Sequence, residues 1–365
     1  MNIAVSPCAQ KIVRIGVIGT GMVSQIAHIP AIIEASVLDI VAVADLDELL
    51  AAQVGRRYDV KQVFVTHRHL LDDKDVDGVV VVVHRTKTAS VARDALLSGK
   101  HVLSEKPMAM TLTTARALVD LARQKELVYG VGFMKRYDVG VERAKSLLSE
   151  MTASGRLGRL VHVRGKNFCA EYVGYCEDYI QGKKATAVLP APTFPVTPEW
   201  LVPELARKYD WFANVGLHSI NLLRYLLDDA LSLRHADFSY EQAASVMFDA
   251  SGVPISVDFG RSATGKWEES FEFFFERGRL ELQLTSLKQR DRCAAVTLDE
   301  NVEEAKTAYW GHDTREPWCF TRQMQAFADA IQGNPEALLT SGEDCLRDME
   351  LLEEIFSYVQ GRKHD

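Results

Sequence analysis

The sequence predicts a doubly wound parallel α/β domain followed by an α+β domain with a mainly antiparallel, open sheet. Three observations carry that reading. Short β-branched runs alternate with helical stretches as far as residue 133, and a glycine-rich turn joins the first run to the first helix. Beyond residue 133 strand follows strand, separated by glycine-containing turns such as Arg277-Gly278.

The first strand-like runs fall at 11–19, 40–44, 78–83, 101–103 and 127–132, with helical patterns at 22–34, 46–57, 89–98 and 112–125 between them. The run from Gly78 to Val83 is apolar without alternation, which suits a strand covered on both faces in the middle of a parallel sheet. Right-handed crossovers would gather the strand C-terminal ends along one edge, where ligands bind. A helix at 141–150 then leads through Gly155-Arg156-Leu157-Gly158 into an alternating strand at 160–168. Strands at 231–240, 243–248, 254–259, 271–276 and 280–284 follow, and helices at 318–332 and 343–360 close the chain. Two units are expected, 1–134 and 135–365.

Composition narrows the function classes. The 365 residues are 47% hydrophobic, too apolar for a disordered chain. Lys+Arg 42 against Asp+Glu 50 gives a net charge of −8, which disfavours a nucleic-acid partner. No run nears the ~20 apolar residues of a membrane span, and no secretory signal is expected at the N-terminus. Six scattered cysteines without a C-x-x-C pair read as reduced, cytoplasmic thiols, with no metal site. Five of the eleven prolines lie between Pro190 and Pro203, inside an aromatic-rich stretch at 171–212. Such a stretch is a long loop, packed on the protein's own surface or on another subunit, or serving as a lid over a substrate pocket.

Three motifs carry chemistry. Gly19-Thr20-Gly21-Met22-Val23-Ser24 follows the first strand and opens the first helix. Gly19 permits the tight turn, Gly21 lets the backbone approach a pyrophosphate, and the helix N-terminus offers oriented N–H groups. Asp45 closes the second strand, where a carboxylate would hold ribose hydroxyls and repel a 2′-phosphate, so NAD is expected over NADP. Ser104-Glu105-Lys106-Pro107 ends the fourth strand on the same edge, with Lys106 either a surface lysine or a site residue. In Asn214-Val215-Gly216-Leu217-His218-Ser219-Ile220-Asn221, helical spacing puts Asn214, His218 and Asn221 on one face. That stripe either closes an internal hydrogen-bond network or lines a cavity.

The order of these motifs, with Gly155-Arg156-Leu157-Gly158 and above all the stretch from Ala95 to Pro107, resembles the glucose–fructose oxidoreductase / inositol dehydrogenase (Gfo/Idh/MocA) family over nearly the whole chain. The resemblance implies an N-terminal Rossmann domain and a C-terminal sheet that forms subunit contacts, hence a homo-oligomer, dimer or tetramer. It also implies hydride transfer to or from a ring hydroxyl or ketone of a carbohydrate-type substrate. By the same comparison Lys106 is the lysine touching substrate and cofactor, and His218 the general acid/base. The cofactor-binding set is then Gly19, Thr20, Gly21, Met22, Val23, Asp45, His84, Arg85, Glu105 and Lys106. Asn214, Asn221, Arg136 and Tyr172 are the expected substrate-binding residues. Asn214 and Asn221 stand where the family commonly has Asp, Met134 where it has Asn, and His84-Arg85 replaces its usual Thr-Pro-Asn stretch. These departures, with the 171–212 stretch, point to a larger substrate such as a glycoside. Two alternatives stay open: glycoside cleavage through transient ring oxidation, and a non-catalytic NAD-binding sensor.

Overall fold

The computed structural model describes residues 11–170, 178–182, 193–228, 231–262, 267–286, 289–302, 304–310 and 317–361. Six parallel strands form the first sheet: β1 (Val13–Ile18), β2 (Leu38–Ala44), β3 (Gln62–Phe64), β4 (Gly78–Val81), β5 (His101–Ser104) and β6 (Tyr129–Val131). Their order is β3-β2-β1-β4-β5-β6, so the winding reverses between β1 and β4. A crevice opens at the C-terminal ends of strands where the winding reverses, and it is the natural ligand seat of such a sheet. Val79, Val80 and Val81 are fully buried, as the unbroken apolar run requires.

Helices α1 (Ile29–Glu34), α2 (Glu48–Arg57), α3 (His67–Leu71), α4 (Arg85–Leu97) and α5 (Leu112–Gln124) flank this sheet. The helix expected over 22–34 is interrupted. A π-helical turn, Ser24–His28, precedes α1 and buries Ser24, Gln25 and His28. The helix expected from residue 89 starts at Arg85, because the His84 side chain caps it by accepting from the Thr86 N–H. β3 and α3 are too short to leave a periodic signal.

After a 3₁₀ turn, Met134–Tyr137, α6 (Val139–Ser154) leads into β7 (Leu160–Ala170). Then come α7 (Ala206–Leu226), β8 (Leu231–Tyr240), β9 (Ala243–Ala250), β10 (Val253–Ser262), β11 (Glu268–Phe275), β12 (Gly278–Gln283), β13 (Ala295–Val302) and β14 (Glu304–Trp310). The second sheet has the order β14-β13-β12-β11-β7-β10-β9-β8, and every pairing is antiparallel except β7 with β10. Its inner face buries Phe248, Phe259, Phe271 and Phe273, and Phe212 of α7 meets Phe259 edge-on at 4.9 Å. Its outer face is charged: Arg164 donates to Glu272 at 2.7 Å, and Arg279 to Glu272 and Asp299 at 3.0 Å.

The last helices return to the first sheet. Phe320, Met324 and Phe327 of α8 (Cys319–Ile331) share a core with Val13, Ile15 and Val17 of β1. α9 (Gly342–Val359) packs on α5 and α7. Of the proline-rich stretch, Trp200 and Val202 are tied through backbone groups to the Gln360 side chain, and Phe194 lies under Arg93. The described part therefore packs on the protein's own surface. No described helix is long and apolar enough to cross a membrane.

Candidate active site

The crevice between the two sheets holds a cavity of about 610 Å³. Gly21, Met22 and Val23 line it from the glycine loop, Val82 to Arg85 from the end of β4, and Glu105 and Lys106 from the end of β5. Met134 and Lys135 enter from the 3₁₀ turn, and Asn167, Gly260, Arg261 and Trp267 from the second sheet. Trp211, Asn214, Val215 and His218 face it from α7 at the helical repeat.

The glycine loop fits a dinucleotide. Gly19 has φ +92°, and a Cβ there would sit 2.1 Å from the Val82 carbonyl oxygen, so only glycine fits. A Cβ on Gly21 would meet nothing within 4 Å, which leaves open space beside the backbone where a pyrophosphate would lie. Ser24 replaces the third glycine and turns its hydroxyl onto the Gly19 carbonyl. Asp45 accepts the Thr20 N–H at 2.7 Å, the Thr20 hydroxyl at 3.1 Å and the Asp47 N–H at 2.9 Å. Its carboxylate is thus fixed at the loop, at the position expected from the sequence.

Lys106 and His218 are brought to the same cavity from residues far apart in the chain. The Lys106 ammonium donates to the Asn214 carbonyl at 2.7 Å and to its side-chain Oδ1 at 2.9 Å. Asn214, expected from the sequence to bind substrate, therefore orients the lysine. His218 packs edge-on to Phe133 at 5.8 Å, and its Nδ1 is buried with no hydrogen-bond partner among the described residues. Burial, and then the charges of Lys106 and Lys135, push the imidazole well below its ordinary pKa of 6.5. It is neutral at physiological pH and so competent to take a proton.

Other expected residues lie elsewhere. Arg136 and Asn221 are buried beneath the cavity and do not line it. Arg136 Nε donates to Asn221 Oδ1 at 2.8 Å, and Asn221 Nδ2 donates to Asp348 at 2.7 Å. Asp348 in turn accepts from Arg224 at 2.8 Å, so this network fastens α7 to α9. Arg85 lines the cavity, but its guanidinium is paired with Asp210 of α7, with Nε 2.6 Å from Oδ1. His84 also lines it and is held below its ordinary pKa by burial and by the Arg85 charge. Tyr172 lies outside the described residues.

Sequence reasoning missed a polar floor. Lys135 donates to both carboxylate oxygens of Glu269 at 2.5 Å, and the Glu269 side chain is fully buried. Asn167 donates to the Ser219 hydroxyl at 2.9 Å beside that carboxylate. Lys135 and Glu269 are 134 positions apart, and nothing local in the chain signals their pairing.

Comparison with known proteins agrees with this geometry. Residues 13–133 match the family model described as "Oxidoreductase family, NAD-binding Rossmann fold". An inositol 2-dehydrogenase/D-chiro-inositol 3-dehydrogenase of Lacticaseibacillus casei is 34% identical over 160 residues, 43% of this chain and 44% of that protein. The chain thus matches under half the length of that relative. A dTDP-3,4-didehydro-2,6-dideoxy-alpha-D-glucose 3-reductase of Saccharopolyspora spinosa is 23% identical over 95% of this chain and 97% of its own. The crystal structure of a 3-ketoreductase from Actinomadura kijaniata with NADP shares the fold, with a TM-score of 0.72 and 20% identity over 94% of this chain and 97% of that one. Residues 13–133 are thus similar to the NAD-binding Rossmann domain of the Gfo/Idh/MocA oxidoreductase family.

Proposed function

We propose that the protein is an NAD(H)-dependent oxidoreductase acting on a ring hydroxyl or ketone of a sugar, glycoside or related carbohydrate derivative. One observation carries this reading: the glycine loop, the Lys106 ammonium and a neutral, half-buried His218 share a single cavity. The relatives named above act on cyclitol and sugar substrates, which supports the substrate class.

When bound, the nicotinamide supplies the hydride acceptor or donor. The residues do the rest. His218, with Nδ1 buried, takes the hydroxyl proton at Nε2 as the carbinol carbon loses its hydride. Lys106, steered by Asn214, places a positive charge beside the oxygen as alkoxide character develops. Lys135, paired with Glu269, adds a second cation to the same wall and favours the neutral state of His218. Asp45 would accept ribose hydroxyls and repel a 2′-phosphate, which favours NAD over NADP. Cys319 and Cys345 are free thiols, which suits a cytoplasmic enzyme. The charged outer face of the second sheet is the surface we assign to self-association.

NADH absorbance against a panel of sugars, cyclitols, glycosides and nucleotide-sugars tests the reading. A sugar-dependent signal, larger with NAD than with NADP, is expected. Lys106→Ala and His218→Ala should each lower turnover by roughly 10²–10⁴-fold while NADH still binds. Near-wild-type turnover in His218→Ala would contradict the assignment. Aglycone release without NADH would assign elimination chemistry in its place.

A further inference from the structure

The π-helical turn that follows the glycine loop has an unusual economy. Three of its five residues, Ser24, Gln25 and His28, are polar and buried, and each side chain bonds a different partner. Ser24 holds the Gly19 carbonyl, and Gln25 donates to the Thr20 carbonyl at 2.8 Å. His28 reaches in the other direction, with Nε2 2.8 Å from Glu105 Oε1. Widened turns of this kind are rare and recur at functional sites.

The His28–Glu105 contact is costly unless it serves something. His28 is 1% exposed, packed edge-on to Phe320 at 5.3 Å, and its Nδ1 has no partner among the described residues. Glu105 immediately precedes Lys106, and its second oxygen accepts the Lys106 N–H at 3.1 Å. Gly132 makes room for it: a Cβ there would lie 3.3 Å from Glu105 Oε1. The carboxylate is therefore clamped at both oxygens, between the turn that seats the cofactor and the backbone of the lysine. Burial would raise its pKa, but the His28 hydrogen bond, the charges of His28 and Lys106, and the Lys106 N–H together hold it below its ordinary value.

We propose that His28 is a positioning residue that, through Glu105, aligns Lys106 with the seat of the glycine loop. The inference rests on the catalytic reading of Lys106. His28 makes no contact with the reaction itself; it fixes the carboxylate from which the Lys106 segment departs, and Asn214 fixes the far end of the same side chain. The lysine is thus held at root and tip.

The test is steady-state kinetics on the full chain, using the most active sugar of the panel as probe, with NADH affinity from fluorescence titration. Variants are His28→Ala, His28→Gln, Lys106→Ala and the double variant His28→Ala/Lys106→Ala. His28→Ala should lose about ten- to a hundredfold in kcat, with substrate KM and NADH affinity retained. His28→Gln, which can still donate to Glu105, should recover most of the loss. The double variant should be no slower than Lys106→Ala alone, since both changes act through one group. Wild-type kcat in His28→Ala would overturn the proposal, as would losses that multiply in the double variant or a fall in NADH affinity that accounts for the loss. Should His28→Ala lose its fold, His28→Leu, similar in volume but unable to donate to Glu105, carries the same test with the same expected and contrary results. Wild-type turnover in Lys106→Ala would overturn the underlying reading, a result distinct from the others.

Discussion

His218 sets the pH behaviour at the scale of single residues. Its pKa is depressed by burial and by two nearby lysines, so the neutral base persists to pH values below the ordinary histidine range. The acid limb of kcat/KM for alcohol oxidation should therefore lie below pH 6.5. Removing one of those charges acts in the opposite direction. Lys135→Met should move that limb to higher pH, and a limb that stays fixed or moves lower would contradict the electrostatic account. Gly19 offers a separate check: with φ +92° and a carbonyl 2.1 Å from a would-be Cβ, Gly19→Ala should destabilise the fold and abolish NADH binding together. Gly19, Asp45 and Lys106 stand out in the sequence by motif and by position in the strand–helix alternation, and His218 by helical spacing and the family resemblance. Glu269 and His28 do not, because their meaning lies in partners 134 and 77 positions away.

Helix α7 carries the argument at the scale of elements. Its upper turns present Trp211, Asn214 and His218 to the cavity, and its lower turns bury Asn221 and Arg224 in a network with Arg136 and Asp348. Helical spacing correctly places Asn214, His218 and Asn221 on one side, but spacing gives direction and not depth. Asn221 lies a turn below the floor. Arg224→Met would leave the buried Asp348 carboxylate without its guanidinium, at a cost of about 3–5 kcal/mol, read as a lower midpoint in denaturant. An unchanged midpoint would show that the network is dispensable. The two halves of the second sheet were unequally legible for a similar reason. β10 and β11 alternate apolar and polar residues over one covered face, whereas β13 and β14 include Asp299, Glu300, Glu304 and Lys306, which mask their strand character.

At the scale of the whole molecule, the site belongs to neither sheet alone. The first sheet brings the glycine loop and Lys106, the 3₁₀ turn after β6 brings Lys135, and the second sheet and α7 bring Glu269, Asn167 and His218. α8 ties the arrangement together by returning Phe320, Met324 and Phe327 to the core beside β1. The Arg85–Asp210 pair bridges α4 to α7 beside the cavity. The alternation of elements made the first sheet readable from the sequence, but the meeting of the two halves depends on long-range packing that no local pattern encodes. The most direct test of the central claim is NADH formation from NAD across the carbohydrate panel, comparing wild type with His218→Ala at neutral pH. Sugar-dependent NADH formation that falls by roughly 10²-fold or more in the variant, with NADH binding intact, is the predicted result. Equal rates in the two proteins, or tight NADH binding with no turnover of any sugar, would contradict it.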